Sequence, residues 1–153
     1  MRSALGWCGA VAVAAGIAFS PLAVSADGDD AIKLRQAMMT SIGAHMSALG
    51  AMAKGDVAVS AQAKWHARAL IKLSGIASQL FPAGSGTGET GALPMIWENT
   101  AKFQQVLADF QAATPQLAAA AESGDAGQIG AALGAVGKTC GGCHETFRKK
   151  HDH

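Results

Sequence analysis

The chain has 153 residues, of which half are hydrophobic and 15% charged, and its 12 basic and 11 acidic side chains give a formal net charge of +1. This near-balance, with no basic patch, excludes electrostatic binding to nucleic acid or to an anionic membrane. The length suits one domain with one core.

In chain order, Met1-Arg2 precedes an apolar stretch from Val11 to Phe19, then a helix-breaking Ser20-Pro21 and the small residues Val24-Ser25-Ala26. This is the pattern of a secretory signal peptide over residues 1–26, cleaved before Asp27, and it leaves residues 27–153 as the exported domain. The apolar run is interrupted by Gly and Pro and falls short of the ~20 residues that span a bilayer. Cys8 lies inside it, without the small residues that precede a lipidated cysteine, and leaves with the leader. Arg2 leaves too, so the exported domain is formally neutral and is expected in the periplasm.

Strand signals are nearly absent, and Ala, Leu, Met, Gln and Lys fill the stretches between glycine clusters, so an all-α fold is expected. Helix one is predicted over 29–54, with Asp29 or Asp30 as N-cap and Gly55 just beyond its end. Helix two is predicted over 56–80 on an apolar stripe that includes Val59, Ala63, Leu70, Leu73, Ala77 and Leu80, stopping at Phe81-Pro82. The glycine-rich loop that follows, Gly84-Ser85-Gly86-Thr87-Gly88, has neither the preceding strand nor the Lys-Thr of a phosphate cradle. Helix three starts near Pro94 and carries Ile96, Thr100, Phe103, Leu107 and Phe110 on one side; Thr114-Pro115 is expected to kink or restart it before Gly124. Helix four opens on the capping pair Asp125 and Gln128 and continues to about Lys150.

Helix four contains Cys140-Gly141-Gly142-Cys143-His144, the C-x-x-C-H run of covalent haem c attachment. On a helix these three side chains stand at i, i+3 and i+4, so two sulfurs and an imidazole project onto one macrocycle. The sulfurs would form thioethers and His144 would bind iron. No βαβ unit supports a thioredoxin-like pair, and no second Cys/His cluster completes a zinc site. With the leader gone, these are the only cysteines left, so export serves haem attachment and not disulfide formation. The motif continues the apolar stripe Ile129, Leu133 and Val136, which places the haem inside the bundle. A second stripe, Gly127, Gly130, Gly134, Gly137 and Gly141, suggests a surface open to close approach.

The ligand on the other face of the iron decides function, because a thioether gives a six-coordinate electron carrier whereas an apolar residue leaves a site for a small gas. Met39 is the candidate: it shares a stripe with Ile42, Met46, Leu49 and Ala53, and Arg35 stands one turn earlier, placed to pair bidentately with a haem propionate. Met38, Met46 and Met52 carry no such expectation. His45 and His66 are rival ligands, and also the only histidines well separated from the motif that could serve a peroxidase-like enzyme as acid or base; neither has an identifiable partner.

The order of these features resembles the class II c-type cytochromes, the cytochrome c prime family. The matching pieces are Ile32-Lys33-Leu34-Arg35-Gln36 with Met39, Leu80-Phe81-Pro82 with its glycine-rich loop, Pro94-Met95-Ile96-Trp97, and Cys140 through Lys150. The resemblance implies an antiparallel four-helix bundle enclosing one covalently attached haem c, with Arg35 at the propionate-pairing position, Arg148 at the basic position beside the proximal histidine, and position 39 distal. Met39, together with Leu49-Gly50-Ala51-Met52-Ala53-Lys54-Gly55, is similar to the low-spin, methionine-ligated branch. The expectation is a periplasmic one-electron carrier with His144 and Met39 axial, and not an enzyme. The alternative is a five-coordinate binder of NO or CO. Periplasmic or membrane-bound redox proteins are the expected partners, with a homodimer possible.

Overall fold

The computed structural model describes residues 28–150; the expected leader, its cleavage position and the histidines at 151 and 153 lie outside them. Within that range the chain forms α1 (Gly28–Lys54), α2 (Ala61–Ile76), a 3-10 turn (Ala77–Leu80), a single turn α3 (Met95–Glu98), α4 (Thr100–Ser123) and α5 (Ala126–Phe147). The four long helices pack as α1 on α2, α2 on α4, α4 on α5, and α5 back on α1, which closes an antiparallel four-helix bundle. No strand is formed among the described residues, only an isolated bridge between Ala92 and Arg148.

The bundle closes because each helix buries one apolar stripe. Leu49, Leu70, Leu117, Ile129 and Val136, drawn from all four long helices, are fully buried in one cluster. Each such side chain contributes about 1.5–3 kcal/mol through removal from water. A second cluster joins Ala77, Ile96, Phe103, Leu107 and Phe147 toward the end of the bundle that carries the long loop. Phe103 meets Phe81 and Phe147 edge to face, with centroids 4.8 and 5.2 Å apart. This is the geometry that the ring quadrupoles prefer.

The helix ends follow local chemistry. Gly55 (φ 83°) and Gly124 (φ 72°) take the left-handed conformation that ends α1 and α4. Asp29 and Asp30 lie in the first turn of α1, where they face the positive end of its dipole and do not act as caps. Helix α2 starts five residues later than predicted because the Ser60 hydroxyl accepts from the Gln62 N–H and sets the entry there. Asp125 caps α5 by accepting from the Gln128 N–H at 2.7 Å. The helix stops at Phe147, before the predicted Lys150, because the backbone beyond it turns to the loop: Leu93 donates to the Phe147 carbonyl (2.9 Å) and Lys149 to the Gly91 carbonyl (2.8 Å).

The expectation that Pro115 restarts the third long helix is corrected, since α4 runs unbroken from Thr100 to Ser123. Proline cannot donate to the carbonyl four residues back, which is that of Gln111. The buried Thr114 hydroxyl donates to that carbonyl instead, at 3.2 Å. The acceptor that proline orphans is satisfied from the neighbouring side chain.

The glycine stripe of α5 is not one close-packed surface. A Cβ on Gly130 would sit 3.6 Å from Ala53, an ordinary contact, while Gly134, Gly137 and Gly141 face open space.

Candidate haem site

A cavity of about 700 Å³ opens between α1, α4, α5 and the loop at 90–92, within the ~300–1,000 Å³ range of cofactor sites. Cys140, Cys143 and His144 all lie on its wall, so α5 delivers the three attachment groups to one face as the i, i+3, i+4 spacing requires. Helix α1 contributes Arg35, Met39 and Met46, and α4 contributes Phe103, Leu107 and Phe110.

The electrostatics of the motif separate the competing uses of two cysteines. Burial pushes both thiols up; Cys143 rises to about 11, with the neighbouring Cys140 adding to burial and Arg148 opposing it. A redox dithiol needs a depressed thiol pKa, the opposite of this environment. Among the described residues, no group of three or more His, Cys, Asp or Glu side chains could hold a metal ion. His144 is lowered first by burial and then by Arg148, which keeps the imidazole neutral and able to ligate a metal.

The lining also fits the remainder of a haem. It is dominated by apolar side chains, includes the cations Arg35 and Arg148, and contains no Asp or Glu. A flat apolar macrocycle with two carboxylates suits such a wall, whereas an open cationic cavity without an anion would not be stabilising by itself.

Of the two adjacent methionines, Met39 lines the cavity and Met38 does not. Met52 is core. Met46, which carries no special expectation from sequence, also lines the cavity; its seven-residue spacing from Met39 on the same stripe is the signal that marks it. His45 and His66 do not line the cavity. They face each other, Nδ1 to Nδ1 at 2.8 Å, with Trp65 meeting both rings edge to face.

Arg35 lies at the cavity and is only 4% exposed. Its terminal nitrogens are committed within the protein: Nη1 donates to the Leu80 carbonyl (3.1 Å) and Ser85 Oγ (2.9 Å), and Nη2 to the Ser85 carbonyl (2.8 Å) and Thr90 Oγ1 (2.7 Å). Both Nη groups of the fork thus hold the loop, and Nε–H is the donor left for the expected propionate. The guanidinium also sits 4.9 Å over the Phe81 ring. All these partners are neutral, so the positive charge is hydrogen-bonded but not neutralised. Burial lowers its pKa from the ordinary arginine value. Arg148 lines the cavity from the end of α5, and its N–H caps the His144 carbonyl at 3.2 Å. Sequence reasoning missed Thr90, Gly91 and Ala92, because no local pattern marks loop residues that reach a site only through long-range pairing.

A helical bundle with a C-x-x-C-H face turned into an apolar, cation-rimmed cavity is a c-type haem protein. Comparison with known proteins gives the family. The profile of the family described as Cytochrome C' matches residues 30–148. The chain is 37% identical over 119 residues to cytochrome c' of Pararhodospirillum photometricum, covering 77% of this chain and 95% of that one. It is 37% identical over 120 residues to cytochrome c-556 of Agrobacterium tumefaciens, covering 78% and 97%. Among solved structures, a ferrous variant of cytochrome c prime from Alcaligenes xylosoxidans with bound NO superposes with TM-score 0.76 at 35% identity, covering 82% and 98%. A carbon-monoxide-bound variant of the same protein gives 0.75 at 36% identity, with the same coverage. The chain belongs to the cytochrome c' family, and it carries one haem c attached through Cys140 and Cys143.

Proposed function

We propose that this protein is a periplasmic monohaem cytochrome whose His144-held iron takes up a diatomic gas, NO or CO, on the face bordered by Met39. The observation that carries this reading is the near-full-length likeness to cytochrome c prime chains whose solved forms hold NO and CO. The bound haem supplies a one-electron couple and an iron able to take a small ligand. The protein's own residues do the rest. Cys140 and Cys143 would fix the macrocycle, His144 would offer its imidazole nitrogen, and Phe103, Leu107 and Phe110 give the cavity an apolar wall. His45 and His66 face each other outside the cavity lining and place no imidazole acid or base there.

A second reading is a His144/Met39-ligated electron carrier of the low-spin type, favoured by one observation: Met39 is on the cavity wall with His144. A thioether near the iron competes with an incoming gas. Electron partners are redox proteins of the periplasm or its membrane. Pairing of two copies through α1 and α2 suits the exposed Leu34 (55%) and Trp65 (63%) on those helices.

The deciding measurement is the optical and EPR spectrum of the haem-loaded protein, ferric and ferrous, with and without CO. A high-spin ferrous form that takes up CO is the expected result. Low-spin signals in both states, a methionine-to-ferric charge-transfer band and no CO response would transfer the assignment to the carrier.

A further inference from the structure

The Thr90 hydroxyl has a proton with no protein acceptor. Its Oγ1 accepts from Arg35 Nη2 at 2.7 Å and from the Ala92 backbone N–H at 3.1 Å. Two accepted bonds fill both lone pairs of a hydroxyl, so its one O–H can act only as a donor. Ser85, the other hydroxyl on Arg35, differs: it accepts from Nη1 at 2.9 Å and passes its own proton to the Pro82 carbonyl at 2.8 Å. For Thr90 no such acceptor occurs among the described residues, and Thr90 lies on the cavity wall.

Its position is held from three directions. Arg35 reaches it from α1, Lys149 Nζ donates to its carbonyl at 2.8 Å from beyond the end of α5, and its own N–H donates to the Gly88 carbonyl at 2.8 Å. Thr90 is 8% exposed, so its hydroxyl has little access to bulk water as a substitute acceptor. A guanidinium donating into the same oxygen polarises the O–H bond and strengthens it as a donor.

We propose that Thr90 binds a haem carboxylate, donating its hydroxyl proton to a propionate with the charge of Arg35 directly behind it. The carboxylate is thus reached by a relay through Thr90, and Arg35, with both Nη groups committed to the loop, stabilises it through Thr90 and its remaining Nε–H. The inference rests on haem attachment at Cys140 and Cys143, which the optical spectrum of the loaded protein verifies separately.

The test is the pH dependence of the haem midpoint potential in the loaded protein, for the unsubstituted chain, Thr90→Val and Thr90→Ser. Loss of a donor to the ionised carboxylate raises its pKa. In Thr90→Val the inflection that marks propionate ionisation should therefore move up by about one pH unit, a tenfold change in proton affinity. Thr90→Ser, which keeps the hydroxyl, should restore it. An unmoved inflection in a Thr90→Val protein that carries haem overturns the proposal and leaves Thr90 as a loop tether. Should Thr90→Val fail to fold, NMR of the unsubstituted ferrous protein under CO decides: a slowly exchanging Thr90 hydroxyl proton close to propionate methylene protons supports the proposal, and its absence there overturns it.

Discussion

Arg35 and Thr90 are 55 residues apart in sequence, and their side chains meet at 2.7 Å on the rim of the haem cavity. Through this contact the first helix, which carries Met39, grips the loop whose other end is paired with the residues just after His144 and Phe147.

Replacing Arg35 by Leu should therefore release the loop from Leu80 to Thr90 and leave the Leu80 and Ser85 carbonyls without their donor. Bonds of this kind to a charged group are worth about 1.5–3 kcal/mol each, but they share one side chain and do not add, so a total loss of about 3 kcal/mol is expected. Arg35→Lys should recover less than half, because an ammonium cannot fork across four acceptors. Urea denaturation of the loaded protein measures both.

At Pro115 the prediction is a coupling. Thr114→Val removes the hydroxyl that serves the Gln111 carbonyl and should cost about 1–2 kcal/mol. In a Pro115→Ala background the restored N–H can serve that carbonyl, and the same Thr114→Val change should cost clearly less. A double-mutant cycle read by thermal or urea unfolding gives the difference. Equal costs in both backgrounds would show that Thr114 acts only through its contact with Ser74, at 3.1 Å.

Met39→Leu removes the thioether from the cavity wall while nearly keeping its volume. Under the gas-binding reading, CO uptake by the ferrous protein persists or speeds up and the resting spectrum changes little. Under the carrier reading, the spectrum turns from low-spin to high-spin and the potential falls. Met38→Leu, at a side chain that does not line the cavity, should alter neither.

His66 is lowered from the ordinary histidine value, first by burial and then by the charge of His45, 2.8 Å away Nδ1 to Nδ1. A base depressed in the folded state binds fewer protons there than in the unfolded chain, so stability rises with pH across the interval between its folded pKa and the ordinary value near 6.5. The protein should lose stability as the pH falls below about 6.5, and His66→Gln should flatten that slope. Denaturation midpoints collected between pH 5 and 7.5 report it; a His66→Gln protein with an undiminished slope would place the titration elsewhere.

Much of this molecule is set by local chemistry along the chain. The 3.6-residue stripes, the positive-φ glycines at 55 and 124 and the cap at Asp125 define the four long helices, because each depends on side chains only a few residues apart. The attachment motif is local in the same sense: Cys140, Cys143 and His144 need only a helix to share a face, and α5 supplies it. The role of Met39 as a cavity residue followed from its stripe, because a helix facing the core must turn that stripe inward.

Tertiary structure decided what depended on distant partners. Whether Pro115 breaks α4 turned on where the Thr114 hydroxyl points, and whether His45 or His66 reaches the haem turned on α1 and α2 bringing the two rings together. The same holds for Arg35. Its residue type and position announced a cation at the cavity, but its four committed N–H donors, and the free proton they leave on Thr90, exist only because the loop folds back across it. Periodicity places a side chain on a face; a buried polar group's partner is chosen by whichever segment packs there, and the residues next to it in sequence carry no record of that choice.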